Sequence, residues 1–386
     1  MRIALNAWFL DQPATGSGQY LTHLLGSFAA DHSDHVFLLC APALHASLAV
    51  QFSPPLFEWR LLRTPFDGRS NRLSKLWFEQ LSVPRASHRW GADLLHTPYW
   101  ASPCFSPIPT VVTIHDLIPA ILPAYRGGIL GRAYNALVAY SARRASWALT
   151  DSWAARRDIL QHLHLAPERV TAIHLAAQKG FAPVRDSTVL EQVRLKYDLP
   201  PRYLLSGLGG FDVRKNVSGI LRAFASLEMD EIRLVVAGQL PKEDSPFFPN
   251  PERMAAELGI RDRVCFTGWI DEEDKPALYS GAVAFLFPSL YEGFGLPPLE
   301  AMSCGTPVIT SDRSALPEVV GPGGICIDPE NTAALTHAMR SLLERPTLRK
   351  QLQEAAMARA KQFSWQRCAR ETMSVYERVG GVLASA

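Results

Sequence analysis

The sequence is short of several features, and each shortage excludes a class of protein. No apolar run approaches the roughly 20 residues needed to cross a bilayer, so no membrane-spanning helix is expected. The chain opens Met-Arg-Ile-Ala-Leu-Asn, which reads as a strand start rather than a secretory leader. A cytoplasmic protein is therefore expected. Six cysteines, at 40, 104, 265, 304, 326 and 368, form no Cys-x-x-Cys pair, and none has a histidine at zinc-finger spacing. Buried reduced thiols are the expectation. The 11 histidines are scattered. With no Asp-x-Asp site and no metal cluster evident, neither a cofactor nor an essential metal is predicted. Basic residues are too sparse for a nucleic-acid-binding tract.

What remains is ordinary globular composition, 47% hydrophobic and 20% charged. The 386 residues fit two domains of average size. The net charge of +2 hides an asymmetry: residues 1–180 carry 16 basic and 11 acidic residues, residues 181–386 carry 23 and 26. Many of the N-terminal positives lie between Arg126 and Arg169, among them Arg143, Arg144, Arg156 and Arg157. A solvated helix face accounts for them, and so does contact with anionic lipid headgroups or an anionic acceptor.

Short apolar runs alternate with helical spacing along the chain. Residues 2–7, 36–40, 93–96, 110–114, 147–150 and 170–174 read as strands, with helices over 19–30 and 128–149. Several of these strands end in polar residues, including His96 and then His115-Asp116. A break near 176–200, holding "AAQKGFAPVRDS", reads as a linker. The same rhythm then restarts, with strands over 203–207, 233–238, 263–267, 283–288 and 307–310. Helices are expected over 219–227, 251–258, 276–280, 331–345 and 347–363. This is the pattern of two parallel, doubly wound α/β sheets. A cleft between two such halves, beyond the carboxyl ends of the strands, is the expected ligand site.

The most informative stretch is 283–311, "VAFLFPSLYEGFGLPPLEAMSCGTPVITS". A buried strand ends at Pro288, and a loop with Glu292, Gly293, Phe294 and Gly295 follows. Pro297-Pro298 then opens a helix carrying Glu300 in its first turns. The glycines let a ligand approach the backbone. The free N–H groups near Leu296 suit a phosphate. A first-turn carboxylate is favourable at a helix start in its own right, and it is also placed to accept hydrogen bonds from a ribose diol. Glu292 has the chemistry to bind sugar hydroxyls. His115, at a strand end, reads either as a satisfied structural residue or as a ligand contact.

"YEGFGLPPLEAMSCGTPVITS" resembles the E-x7-E region of the retaining GT-B glycosyltransferases of family 4. Four further strings resemble that family in the same order and spacing: "ATGSGQYLTHLL" (14–25), "TVVTIHDLIP" (110–119), "GFDVRKN" (210–216) and "RVCFTGWIDEEDKPALYSGA" (263–282). The resemblance implies two Rossmann-like domains: 1–178 binding the acceptor and 184–364 binding a nucleotide sugar. It also implies a terminal helix, 365–386, packing back toward the first domain. Lys215 and Arg214 would bind the donor diphosphate, Glu300 the ribose and Glu292 the transferred sugar. Backbone groups of Phe294, Gly295 and Leu296 would lie close to sugar and phosphate, and Ile270 would meet the base. Gly16, Ser17 and Gly18 would approach the diphosphate, and His115 the sugar or acceptor. Many family members carry an arginine about six residues before the lysine. Here that region reads Leu208-Gly209-Gly210-Phe211.

The resemblance implies hexosyl transfer with retention. A double displacement would need a carboxylate nucleophile beneath the anomeric carbon, and no unambiguous candidate is evident, so a front-face substitution in which the leaving phosphate takes the acceptor's proton is the expected course. "LSKLWFEQLSVPRA" (73–86) and "HDLIP" resemble a mannosyltransferase-like branch, making GDP-mannose the expected donor. A glycan or lipid-linked glycan is the expected acceptor, with peripheral contact at the inner membrane face. Two rivals are a sugar-nucleotide epimerase of the same shape and a dinucleotide-binding oxidoreductase. The latter rests on Gly16-Ser17-Gly18 alone, since no acidic residue ends the second strand.

Overall fold

A computed structural model of the chain describes residues 1–12, 15–31, 34–44 and 46–381. It divides into two compact units. The first comprises Met1–Leu175 and the last helix, Trp365–Gly381; the second is Ala176–Ser364. Residues 382–386 of the expected terminal helix, and Ala14 of the first glycine string, lie outside the described residues.

The first sheet holds seven strands: β1 (Arg2–Asn6), β2 (Val36–Ala41), β3 (Phe57–Leu61), β4 (Leu94–Thr97), β5 (Thr110–Thr113), β6 (Trp147–Thr150) and β7 (Val170–Ala172). They run in the order β3-β2-β1-β4-β5-β6-β7, all parallel. The second holds six: β8 (Tyr203–Ser206), β9 (Arg233–Ala237), β10 (Val264–Gly268), β11 (Ala284–Phe287), β12 (Val308–Ser311) and β13 (Gly324–Ile327). Their order, β10-β9-β8-β11-β12-β13, is again all parallel. Helices cover both faces of such sheets, so their central strands read as unbroken apolar runs, and β4, β5, β8, β11 and β12 are buried throughout. In each sheet the chain begins at a central strand, winds outward, then returns to the other side. The winding reverses between β1 and β4 and between β8 and β11, where loops diverge and leave room for a ligand.

Several boundaries differ from the sequence reading. The helix expected over 128–149 spans Ile129–Arg144, because Ala145 turns extended and the chain enters β6. The stretch read as a linker contains a helix, Ser187–Lys196, whose first turn is capped by the Asp186 carboxylate on the Thr188 N–H. Gly16-Ser17-Gly18 do not form a loop: they are the first turn of the helix Gly16–Ala30, capped by the Thr15 hydroxyl on Gly18 N–H at 3.1 Å. A Cβ on Gly18 would sit 2.1 Å from the Gln12 carbonyl oxygen, so close packing alone requires glycine there. All six cysteines are free, but Cys104, Cys265 and Cys326 are only half-buried.

The last helix belongs to the first unit by its contacts. His23 stacks on Trp365 with centroids 4.8 Å apart, and the Tyr376 hydroxyl meets His96 Nδ1 at 2.6 Å.

Candidate active site

At the reversal point of the second sheet, the loop after β8 meets the loop after β11. The first loop passes through Gly207–Gly210 into a 3-10 turn, Val213–Lys215. Asn216 follows in the left-handed region (φ 55°) and caps the helix Val217–Ala225 through Gly219 N–H at 3.2 Å. Its amide nitrogen also donates to the carbonyls of Pro288 (3.2 Å) and Pro329 (2.7 Å). One side chain thus ties the basic turn to the loop after β11. Leu290 N–H to the Arg214 carbonyl (2.8 Å) adds a second tie.

Held this way, Lys215 and Arg214 share one carboxylate. Lys215 Nζ lies 2.7 Å from Glu292 Oε1, and Arg214 Nη1 lies 2.5 Å from Glu292 Oε2. Arg214 also donates to the Tyr291 carbonyl at 2.9 Å, and its Nε lies 3.5 Å from Asp212 Oδ1. Lys215 is 9% exposed and sits 4.9 Å over the Phe287 ring. Burial alone would raise the Glu292 carboxyl; Lys215 and then Arg214 outweigh it and hold it below the usual range.

The loop ends at Gly295, whose φ of 121° starts the helix Leu296–Ser303. A Cβ there would lie 2.9 Å from Leu316 Cδ2. Pro297 and Pro298 occupy the next two helical positions and have no N–H, so among the first three helical residues only Leu296 offers an amide. One bond length off the Gly209 Cα is a point 3.5 Å from Lys215 Nζ and 3.6 Å from Pro297 Cγ. The glycine turn, the cation and the helix start therefore converge.

Glu300 is the fifth helical residue, not a first-turn residue, because the helix already begins at Leu296. Its charge is therefore not explained by the helix start, where a carboxylate would be favourable. The Tyr279 hydroxyl donates to its Oε2 at 3.2 Å. Burial pushes its carboxyl up to about 7, Lys275 offsetting this only in part. Phe294 is buried, as is Ile270 after β10. Among the described residues, no three His, Cys, Asp or Glu side chains gather where a metal ion could be held.

In the first unit, His115 follows β5 and is gripped at both nitrogens. Nδ1 pairs with Asp151 Oδ2 at 2.8 Å and Nε2 meets the Pro98 carbonyl at 3.2 Å. Burial lowers its affinity for a proton, but Asp151 reverses that and the imidazole is raised above its ordinary value. Tyr20 packs edge-on to it, with centroids 5.0 Å apart. Asp116, the sequence neighbour, instead accepts the Ile118 N–H at 2.9 Å. His96 is buried outright and pushed down to about 3, first by burial and then by His115.

The structure thus brings Lys215, Arg214 and Glu292 into direct contact, with Gly295 and Leu296 at the adjoining helix start. Two partners escaped the sequence reading. Asp151 directly follows β6, next to β5, and a polar residue at the end of an adjacent strand was the available signal. Asn216 closes the "GFDVRKN" string and stands where an N-cap would, but its joining of two distant loops comes from a left-handed backbone that the string does not reveal.

A family model of "Glycosyl transferases group 1" matches residues 199–359, and one of "Glycosyltransferase Family 4" matches residues 14–177. The chain is 33% identical over 270 residues to O-antigen chain mannosyltransferase B of Escherichia coli, covering 69% of this chain and 70% of that protein. It is 31% identical over 281 residues to the serotype-specific mannosyltransferase WbdA of Escherichia coli, of whose length it covers 34%. Among solved structures, sucrose-phosphate synthase from Thermosynechococcus elongatus superposes with a TM-score of 0.76 at 23% identity, covering 100% of both chains. Anabaena HepE in complex with UDP and glucose gives 0.75 at 18%, covering 97% of this chain and 99% of that one. At these identities the superpositions show the fold. With its two all-parallel α/β units of the GT-B class, the chain belongs to the family 4, group 1 glycosyltransferases and is a glycosyltransferase.

Proposed function

We propose that this glycosyltransferase moves mannose, with retention, from GDP-mannose to a glycan or lipid-linked glycan during synthesis of a surface polysaccharide. The mannosyltransferase relatives, one of them an O-antigen chain enzyme, support the sugar and the setting. The observation that carries the reading is the Lys215–Glu292–Arg214 cluster at the reversal point of the second sheet. Two nearly buried cations there are fixed in advance for a diphosphate, and Leu296 N–H adds a neutral donor.

In this reading Lys215 and Arg214 stabilise the charge that grows on the leaving phosphate, without a divalent metal. The bond from the anomeric carbon to the phosphate oxygen breaks as the bond to the acceptor oxygen forms on the same face. The acceptor's hydroxyl proton passes to the departing phosphate. Glu292 positions sugar hydroxyls, Glu300 the ribose diol, and the Ile270 backbone the base. Gly16 and Ser17, at the accessible start of the helix Gly16–Ala30, are the further backbone contacts to the diphosphate, Gly18 N–H being held by the Thr15 hydroxyl, and His115 contacts sugar or acceptor. The enzyme works at the cytoplasmic membrane face. The helix Ile129–Arg144 supports this, since it exposes Ile129, Leu130 and Tyr140 beside exposed Arg132, Arg143 and Arg144.

The test is a thermal-shift comparison of GDP, GDP-mannose, UDP and UDP-glucose, followed by a mannosyl-transfer assay with EDTA present. A selective rise with GDP ligands and EDTA-resistant transfer are expected. Selective stabilisation by UDP ligands would remove the donor assignment. Undiminished transfer by Lys215→Ala would remove the site.

A further inference from the structure

The reversal point of the first sheet, between β1 and β4, carries a second cluster that the donor chemistry does not use. Phe9 follows β1, and Tyr99 follows β4. The Asn6 amide at the end of β1 donates to the Tyr99 hydroxyl at 2.8 Å. Against them packs the segment 71–90, whose helix Asn71–Trp77 widens into a π-helical turn, Phe78–Ser82. Such single wide turns are rare and recur where a side chain must be re-aimed for function.

The wide turn buries Glu79 at 1% exposure and sets its Oε1 3.1 Å from Lys75 Nζ. The Lys75 ammonium then looks at three rings: Tyr99 at 4.9 Å, Phe9 at 5.0 Å and Tyr134 at 5.8 Å from their centroids. The Tyr134 hydroxyl reaches toward Glu79 Oε2 at 3.5 Å. Gln80, the next residue of the turn, holds the strand-end segment from both sides: it donates to the Ser102 carbonyl at 3.2 Å and accepts the Cys104 N–H at 2.9 Å. His115 is connected through the same segment, since its Nε2 contact is the carbonyl of Pro98.

We propose that Phe9, Lys75 and Tyr134, organised by Glu79 and Tyr99, form the subsite for the terminal sugar of the acceptor. This rests on the glycosyl-transfer reading and deepens it. Lys75 is paired with Glu79 and ringed by aromatic side chains, a mixed polar and apolar setting that suits a neutral polyhydroxylated ligand. Phe9, Lys75 and Tyr134 each keep partial exposure, while Glu79 and Tyr99 are buried. The two partly exposed rings would meet sugar C–H groups, and the ammonium would donate to a hydroxyl or ring oxygen. Glu79 is a positioning residue. Burial raises its carboxyl, which Lys75 offsets only in part, so the pair holds best when both ends stay in place.

The test uses the full chain and octyl α-mannoside, with binding read by saturation-transfer NMR and transfer read as separate KM values for acceptor and GDP-mannose. Lys75→Met keeps the length of the side chain and removes the donor. It is expected to weaken octyl α-mannoside about tenfold or more, with the GDP-mannose KM within about twofold of wild type. Tyr134→Ala and Phe9→Leu are expected to weaken it in the same selective way, while Tyr134→Phe stays within about threefold because the ring remains. Three results would overturn the proposal: no binding of octyl α-mannoside by the wild type, wild-type binding in Lys75→Met and Tyr134→Ala, or acceptor and donor KM rising together, as general loosening would give. If the wild type binds octyl α-mannoside and the variants weaken it, but no GDP ligand binds, the subsite stands and the donor assignment alone fails.

Discussion

Replacing Glu292 by Gln should make the protein less stable and yet tighter for a nucleoside diphosphate. Around the basic turn, two cations face two carboxylates: Lys215 and Arg214 against Glu292, with Asp212 at 3.5 Å from Arg214. Glu292→Gln leaves one net positive charge. A unit charge about 5 Å from a phosphate is worth about 3 kcal/mol at an effective dielectric of about 20. Side chains that remain 9–12% exposed to water reduce this to about 1.5 kcal/mol, or about tenfold in Kd. The folded state pays in the other direction. Breaking a fully buried pair costs about 3–5 kcal/mol; the amide still accepts hydrogen bonds here, so about 2 kcal/mol is expected. In a unit of this size that lowers Tm by about 4–8 °C. Calorimetry with GDP gives the Kd, and differential scanning calorimetry gives Tm. The carboxyl is depressed in the fold, so its stabilisation is full above the ordinary value of 4.5 and fades as pH falls through the folded value. The gap between wild type and variant should therefore close in acid. Weaker GDP binding together with an unchanged Tm at pH 7 would refute the reasoning.

Three more predictions rest on the same geometry. With its carboxyl at about 7, only about a tenth of Glu300 is ionised at pH 6. The GDP-mannose KM should rise about tenfold from pH 8 to pH 6 and stay flat in Glu300→Gln. The stabilisation from that raised value is complete below 4.5 and lost as pH climbs through about 7, so the Gln variant should melt above wild type at pH 8. Asp151→Asn should drop the His115 imidazole below its ordinary 6.5, seen by NMR of the ring Cε1–H. The stability deficit of that variant should be largest below pH 6.5 and shrink as pH rises through the raised wild-type value. Gly295→Ala combines φ 121° with a contact of 2.9 Å to Leu316 Cδ2; a loss of about 2 kcal/mol or more by chemical denaturation is expected.

What the sequence disclosed was periodicity and the ends of strands. Central strands such as β4, β5, β8, β11 and β12 are short apolar runs because both faces are covered, and they could be read directly. The edge strand β3 was missed: Phe-Glu-Trp-Arg-Leu is buried only at its first residue, so it lacks that signature. Edge strand β13, Gly-Ile-Cys-Ile, is half-buried throughout and escaped for the same reason. Motif spacing picked out Lys215, Arg214, Glu292 and His115. It could not pair them, because Lys215 and Glu292 are 77 residues apart and His115 and Asp151 are 36 apart. Gly18 looked like a ligand-approach glycine, but packing against Gln12 is enough to require it.

The two carboxylates of the Glu292–Glu300 segment show why spacing alone underdetermines chemistry. They are eight positions apart, and both are enclosed by the same unit. One is forced to stay charged by two cations, while the other is driven toward neutrality near pH 7 by burial that one lysine only partly offsets. When neighbouring acids are pushed apart in this way, their roles separate. Glu292 stays an anion paired with both cations, and in the proposed reaction it would order them before the diphosphate arrives. Glu300 can exchange a proton near pH 7, so the hold on a ribose diol proposed for it would depend on pH. The difference arises because Gly295 turns the chain between them. Glu292 is left on the loop opposite the basic turn, and Glu300 is carried round the helix to Tyr279.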